Sequence, residues 1–148
     1  MQNSPTWTAL RFIDDVVNDG NLSATERFFS AGHVIHDPLF DDLPDGPEGM
    51  ALRSSRYRTA FPDLRFRVDG VSHDDPVVVI RGVAGGTHLG PLLEHQPTGQ
   101  IVLALVFYWF RFEGDLIAET WTTSSAQRSC RQLGLVSATG AVPFHGGG

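Results

Sequence analysis

The chain has 148 residues, 41% of them apolar and 19% charged, which is enough length for one domain with a closed core. Eleven basic residues stand against seventeen acidic ones, a formal net charge of −6, and a field of that sign argues against the phosphate backbone of nucleic acid as a partner. Every basic residue is an arginine, which excludes a lysine Schiff base and a Walker-A lysine; the lone cysteine, Cys130, excludes an internal disulfide.

The charged share lies below the roughly 25% of an average globular domain, and the uncharged surface this leaves suits an apolar cavity, a subunit interface or both. The N-terminal Met1-Gln2-Asn3-Ser4-Pro5 lacks the basic and apolar regions of a signal peptide. The longest apolar run, Ile101–Phe110, is too short to cross a bilayer as a helix. A cytoplasmic protein with no membrane partner is expected.

Ser4-Pro5 reads as an N-cap followed by proline at the first helical position. Trp7, Leu10, Ile13 and Val17 then recur at helical spacing, and the helix is expected to stop near Asn18–Gly20. Ser23-Ala24-Thr25-Glu26 has the spacing of a capping box, predicting a short second helix that buries Phe28 or Phe29. His33–Asp37 reads as a short strand ended by Pro38, and Phe40–Gly46 as a loop. Pro47 opens a third helix through Met50, Leu52 and Tyr57 to Phe61, where Pro62 ends it.

The period then changes to two. Leu64, Phe66 and Val68 alternate with Arg65, Arg67 and Asp69, as in a half-buried strand. Val77–Ile80 starts a strand that can continue to His88, and Leu89–Gly99 reads as a loop with Pro97-Thr98-Gly99 as its turn. Ile101–Phe112 is a long apolar strand, Glu113-Gly114-Asp115 a tight reversal, and Leu116–Ser124 a last strand. A closing helical turn is expected over Gln127–Leu133 and a mobile tail over residues 136–148, leaving one domain over residues 1–135. Helices first and a mostly antiparallel sheet afterwards make the fold class α+β. A curved sheet wrapped over the early helices would form a cone with an internal pocket.

A series of short motifs runs through this frame: His36-Asp37-Pro38, Gly46-Pro47-Glu48-Gly49, Ala60-Phe61-Pro62-Asp63-Leu64, Gly86-Thr87-His88-Leu89-Gly90, Pro97-Thr98-Gly99, the stretch from Phe110 through Glu113-Gly114-Asp115 to Trp121, and Gln132-Leu133-Gly134. From about Asp14 to Leu135 the chain resembles the SnoaL-like polyketide cyclases, within the cone fold of ketosteroid isomerase and nuclear transport factor 2. The resemblance implies a small homodimer or tetramer, with homodimer the expectation, that closes a ring on a polyketide-like small molecule in secondary metabolism. It implies no metal and no organic cofactor. It also implies an acid/base aspartate just after Trp121, but Thr122, Thr123, Ser124 and Ser125 stand there, and a hydroxyl is a poor general base. Ring closure by enforced folding of the substrate, such as an intramolecular cycloaddition, needs no such base. An aldol closure using other residues stays open, as do a partner-dependent ring hydroxylase component and a binding protein without catalysis.

Tyr108, amid the apolar long strand, reads either as a phenol that donates to a substrate carbonyl or as a core tyrosine. His36 and Asp37 end the first strand, where a proton relay and a displaced acid/base would sit; alternatively Asp37 caps the turn before Pro38. His88 lines a cavity mouth or simply bonds its loop. Glu119 shares a face with Trp121 and Thr123 and is expected to pair with an arginine of a neighbouring strand. The long strand would turn Val106, Tyr108 and Phe110 to the pocket, and the last strand Thr120, Thr122 and Ser124. Phe40, Tyr57, Phe61, Leu92, Leu93 and Trp121 complete the candidate lining. An epoxide hydrolase would need a carboxylate–arginine cluster on the inner face, and none is evident on the two final strands. His33-x-x-His36 lacks a third metal ligand and faces two sides of a strand. Cys130 is expected to be inert, and Gly85-Gly86 is followed by no lysine and so is no phosphate loop.

Overall fold

The computed structural model describes residues 4–125. The turn predicted over Gln127–Leu133, Cys130 and the tail predicted from residue 136 lie outside the described residues. Helix α1 covers Pro5–Phe12 and continues as a wider π-helical stretch over Ile13–Asn18. Ser4 caps it, accepting from the Trp7 N–H at 3.1 Å, and Gly20 ends it at φ +72°, a left-handed turn that glycine enters without a Cβ penalty. The widening shifts the apolar face: Ala9, Phe12, Ile13, Val16 and Val17 are buried, whereas Trp7 is 41% exposed and Leu10 only half-buried. Carbonyls freed at the end of this helix go to Arg58, whose Nη2 donates to Val17 O at 2.9 Å and Asn18 O at 2.7 Å.

The capping box does not form. Ser23 Oγ bonds Asn21 Oδ1 and Thr25 Oγ1 bonds Leu22 O, so a 3-10 turn over Leu22–Ala24 leads directly into the four-residue α2, Thr25–Phe28. Both Phe28 and Phe29 are buried. Strand β1 starts four residues earlier than the sequence suggests and spans Phe29–His36. Helix α3 spans Pro47–Ala60.

The remaining strands are β2 (Arg65–Asp74), β3 (Val77–Thr87), β4 (Ile101–Glu113) and β5 (Leu116–Ser124). They form one five-stranded sheet in the order β1-β5-β4-β3-β2. Only the β1–β5 pair is parallel, which follows from the long path through α3 and three strands between them. Period-two alternation decides the faces. On β4, Val102, Val106, Tyr108, Phe110 and Phe112 point inward and are buried, while Ile101, Leu105, Phe107 and Trp109 are exposed. The inner face packs on α1: the Phe12 ring meets Phe29, Phe110 and Tyr108 edge-on at 5.1, 5.7 and 5.8 Å. Truncating a phenylalanine at such a centre costs about 3–5 kcal/mol. Asn18 joins helix to sheet by taking a strand's place, donating to Phe66 O at 3.0 Å and accepting from the Phe66 N–H at 2.7 Å. The described residues are therefore α+β, a curved, mostly antiparallel sheet wrapped over the N-terminal helices.

Candidate functional site

The inner face of the sheet tapers in side-chain size. Along β3 it runs Val78, Ile80, Gly82, Ala84, Gly86, and Ala84 sits opposite Ala104 on β4. The large end fills the core against α1, while the small end leaves a cavity of about 110 Å³ that opens to solvent, so that a longer ligand can extend from it. Its sheet wall is Ala84, Gly85, Gly86, Val102, Ala104 and Val106; its helical wall is Arg53, Ser54 and Tyr57 of α3, followed by Phe61 and Leu64. A Cβ on Gly86 would lie 2.9 Å from the Phe61 Cβ, so a larger residue there would push into the wall.

One end of the cavity is polar. Asp37, just beyond β1, has a fully buried side chain and pairs with Arg53, Nε to Oδ2, at 2.6 Å. Its Oδ1 accepts from the Leu39 N–H at 2.8 Å and the Tyr57 hydroxyl at 3.2 Å, and the Thr122 hydroxyl lies 3.4 Å from Oδ2. A carboxylate offers about four acceptor positions, and these donors occupy them. Arg53 in turn lies between two rings, with its guanidinium carbon 4.8 Å from the Tyr57 centroid and 5.1 Å from that of Tyr108, and it donates from Nη1 to the Tyr108 hydroxyl oxygen at 3.0 Å. Burial opposes the Arg53 charge, but Tyr108, Asp37 and Tyr57 outweigh it and hold its pKa above the usual arginine value. Burial and then the Asp37 charge push the Tyr57 phenol well above its ordinary pKa, so Tyr57 remains a proton donor.

Chemically, this polar end binds and polarises an oxygen. The Tyr108 oxygen accepts from a cation, which makes its own O–H a stronger donor, and that proton is free for a group in the cavity. Among the described residues the wall carries no carboxylate, imidazole or thiol.

Of the candidate residues, Tyr57, Phe61, Leu92, Val106, Tyr108, Thr122 and Ser124 line the cavity. Asp37 stands behind the wall, holding Arg53 and also capping its turn through the Leu39 N–H, as the second reading of it expected. His36 does not reach the pocket. Strand alternation turns it to the outer face, where its ring stacks on Trp121 at 5.2 Å and its Nε2 lies 2.7 Å from Glu119 Oε2. Trp121 is on that outer face for the same reason. Glu119 also pairs with Arg111 of the neighbouring strand at 3.2 Å, as expected, and the His36 and Arg111 bonds lower its pKa. His88 is fully buried but bonds its own loop, with Nδ1 accepting from the Thr98 N–H at 3.1 Å. Phe110 is one inward position too deep and fills the core beside Phe12. Thr120 is spent on His33, Oγ1 to Nε2, at 2.8 Å. Phe40 packs on Tyr57 behind the cavity, and Leu93 is 51% exposed. The sequence reading missed Arg53 and Ser54. The available signal was their place in the stripe Met50, Arg53/Ser54, Tyr57, Phe61, where a charge interrupts apolar residues at helical spacing. The final two strands carry their carboxylate–arginine pair, Glu119 with Arg111, on the outer face; the inner one is supplied by Asp37 just after β1 and Arg53 of α3.

The sequence profile of the SnoaL-like polyketide cyclases matches residues 8–133. A comparison with curated proteins gives no match. Among solved structures, the chain is similar to IdmH, a candidate polyketide cyclase of Streptomyces antibioticus, with 26% identity and a TM-score of 0.73 over 88% of this chain and 99% of that one. It is similar to a candidate SnoaL-like polyketide cyclase of Jannaschia sp. CCS1, with 21% identity and a TM-score of 0.78 over 92% and 94% of the two chains. AclR, a candidate hydroxylase of Streptomyces galilaeus, shares the fold at 23% identity and a TM-score of 0.72 over 88% and 81%. With the profile covering most of its length and the cone-shaped sheet matching in these structures, the chain belongs to the SnoaL-like polyketide cyclase family.

Proposed function

We propose that this protein is a cytoplasmic enzyme of secondary metabolism that closes a ring on an extended polyketide-like chain held bent in the cavity. The observation that carries the reading is the Arg53–Tyr108 hydrogen bond at 3.0 Å: a buried cation behind a phenol whose proton faces the ligand polarises a substrate carbonyl. Conjugated to an alkene, such a carbonyl becomes electron-poor and reacts with a diene elsewhere in the same chain. Three π bonds then become two carbon–carbon σ bonds and one new π bond within the former diene, and no proton leaves the substrate. This concerted cycloaddition suits a wall without a base. Holding the two ends together supplies several kcal/mol of the barrier. An aldol closure would first require Asp37 to give up one of its donors. The resemblance to IdmH supports a cyclase, and the reaction calls on no metal and no organic cofactor.

The test is turnover of a linear carbonyl-conjugated polyene by the purified protein, anaerobically and without added metal or nicotinamide, followed by mass spectrometry and NMR. Ring formation at unchanged mass supports the reading. Turnover only with a reduced nicotinamide, oxygen and a partner reductase would replace it with the hydroxylase reading, and binding without turnover with that of a carrier.

The same proposal includes a homodimer. Ile101, Leu105, Phe107 and Trp109 are 77%, 59%, 43% and 52% exposed at alternate positions on the outer face of β4. By residue size they present on the order of 500 Å² of contiguous apolar surface, as large as the largest patches on typical monomers. A second copy offering the same face would cover it.

A further inference from the structure

Ser54 follows Arg53 on α3 and lies on the cavity wall. Its residue is 7% exposed, and its Oγ is buried without a hydrogen-bond partner. A helical serine ordinarily satisfies itself on the carbonyl four residues back; this one does not, and a buried hydroxyl left unpaired is costly. Beside it, the charges are already balanced. Arg53 is the sole charged residue of the wall among the described residues, and its charge is matched by Asp37 at 2.6 Å.

We infer that the cavity selects neutral carbonyl compounds over carboxylates and that Ser54 Oγ supplies the second hydrogen bond, after the Tyr108 hydroxyl, to the ligand's oxygen functions. A carboxylate would bring a third charge next to a closed ion pair in a mostly apolar space, and no second cation compensates its desolvation. A ketone, ester or amide brings acceptor oxygens and no net charge. It accepts a hydrogen bond from the Tyr108 hydroxyl and another from Ser54, while its hydrocarbon part lies on the wall of small residues at Ala84, Gly86 and Ala104. The inference deepens the proposed function, on which it rests, by naming the substrate as a neutral carbonyl chain.

The test uses three probes of one shape, 1-acetonaphthone, 1-ethylnaphthalene and 1-naphthoate, titrated calorimetrically into the wild-type protein and Ser54→Ala at pH 7.5. The ketone is expected to bind at least about 10-fold tighter than the carboxylate, and Ser54→Ala to weaken the ketone about 5- to 10-fold while leaving the hydrocarbon within about 2-fold, as one hydrogen bond requires. Alanine favours the helix, and circular dichroism checks that the variant folds. Equal or tighter binding of 1-naphthoate overturns the inference. So does a Ser54→Ala effect that is absent or equal for ketone and hydrocarbon, or failure of the ketone to bind at its solubility limit. A protein with this selectivity that turns over no linear precursor would refute the cyclase reading and leave this inference standing.

Discussion

Arg53 links two residues far apart in the sequence, placing its Nε 2.6 Å from the Asp37 carboxylate and its Nη1 3.0 Å from the Tyr108 hydroxyl. The carboxylate holds the cation, the cation orients the phenol oxygen, and the phenol proton is left for the ligand. A charge-assisted hydrogen bond from such a preorganised group to the substrate carbonyl is worth about 1.5–3 kcal/mol, roughly 10- to 100-fold in rate where it strengthens in the transition state. Tyr108→Phe is accordingly expected to lower kcat by about 10- to 100-fold; its ring still packs on Phe12 and Phe66, but Arg53 Nη1 loses its acceptor, so the thermal midpoint falls by an amount matching about 1–3 kcal/mol. Steady-state kinetics beside a melting curve measure this; an unchanged kcat would remove Tyr108 from the chemistry.

The Arg53–Asp37 pair is buried on both sides, with side chains 7% and 0% exposed. Arg53→Met strands the carboxylate, and losing one partner of a buried pair costs about 3–5 kcal/mol. Adding Asp37→Asn to that variant is expected to restore much of the loss, because the amide no longer carries a buried charge. Urea unfolding of the two single variants and the double variant closes the cycle.

His33 is fully buried, and burial lowers its pKa from 6.5 to about 4. The unfolded chain therefore binds the proton first as pH falls. The stability due to the neutral imidazole is fully present above pH 6.5 and is lost as pH falls toward 4. From pH 7 to 4.5 the expected loss is on the order of 2–3 kcal/mol. His33→Gln should flatten the slope of unfolding free energy against pH over that window, read by urea titration at successive pH values; an unchanged slope would assign the loss to other groups.

Ala104→Leu puts a branched side chain into the part of the cavity lined by small residues, opposite Ala84. Filling a void generally stabilises a fold or leaves it unaffected. This variant is expected to keep or raise its melting temperature while losing binding of 1-acetonaphthone by more than about 10-fold. Loss of fold instead would show that the space is not open to an added side chain.

Leu105→Glu combined with Trp109→Glu places charge on the exposed face of β4. Sedimentation velocity is expected to show a dimer for the wild-type chain and a monomer for this variant, while the circular dichroism spectrum stays unchanged because both side chains point away from the core. A wild-type chain that sediments as a monomer would leave the apolar face to another occupant.

Much of this arrangement is legible in the residues themselves. Ser4-Pro5 and Gly20 bracket the first helix, Pro47 and Pro62 the third, and period-two alternation from Leu64 to Ser124 writes out four strands and their faces. These are local signals, because caps, prolines and alternation act within a few residues. The capping box at Ser23 failed since Asn21 and Leu22, both nearby, offered competing partners that spacing alone does not rank. His36 was misplaced because only the register of β1 against β5, which pairs it with Trp121, says which face it takes.

The sequence alone determined the α+β order, the inward phenol of β4 and the absence of a carboxylate after Trp121, all consequences of short-range pattern. Only the tertiary structure decided that Asp37 serves Arg53 rather than a substrate, and that Ser54 is left unpaired. Those facts depend on α3 facing the sheet across the cavity, where residues 16 to 85 positions apart come within hydrogen-bond distance, and no local periodicity encodes such a meeting.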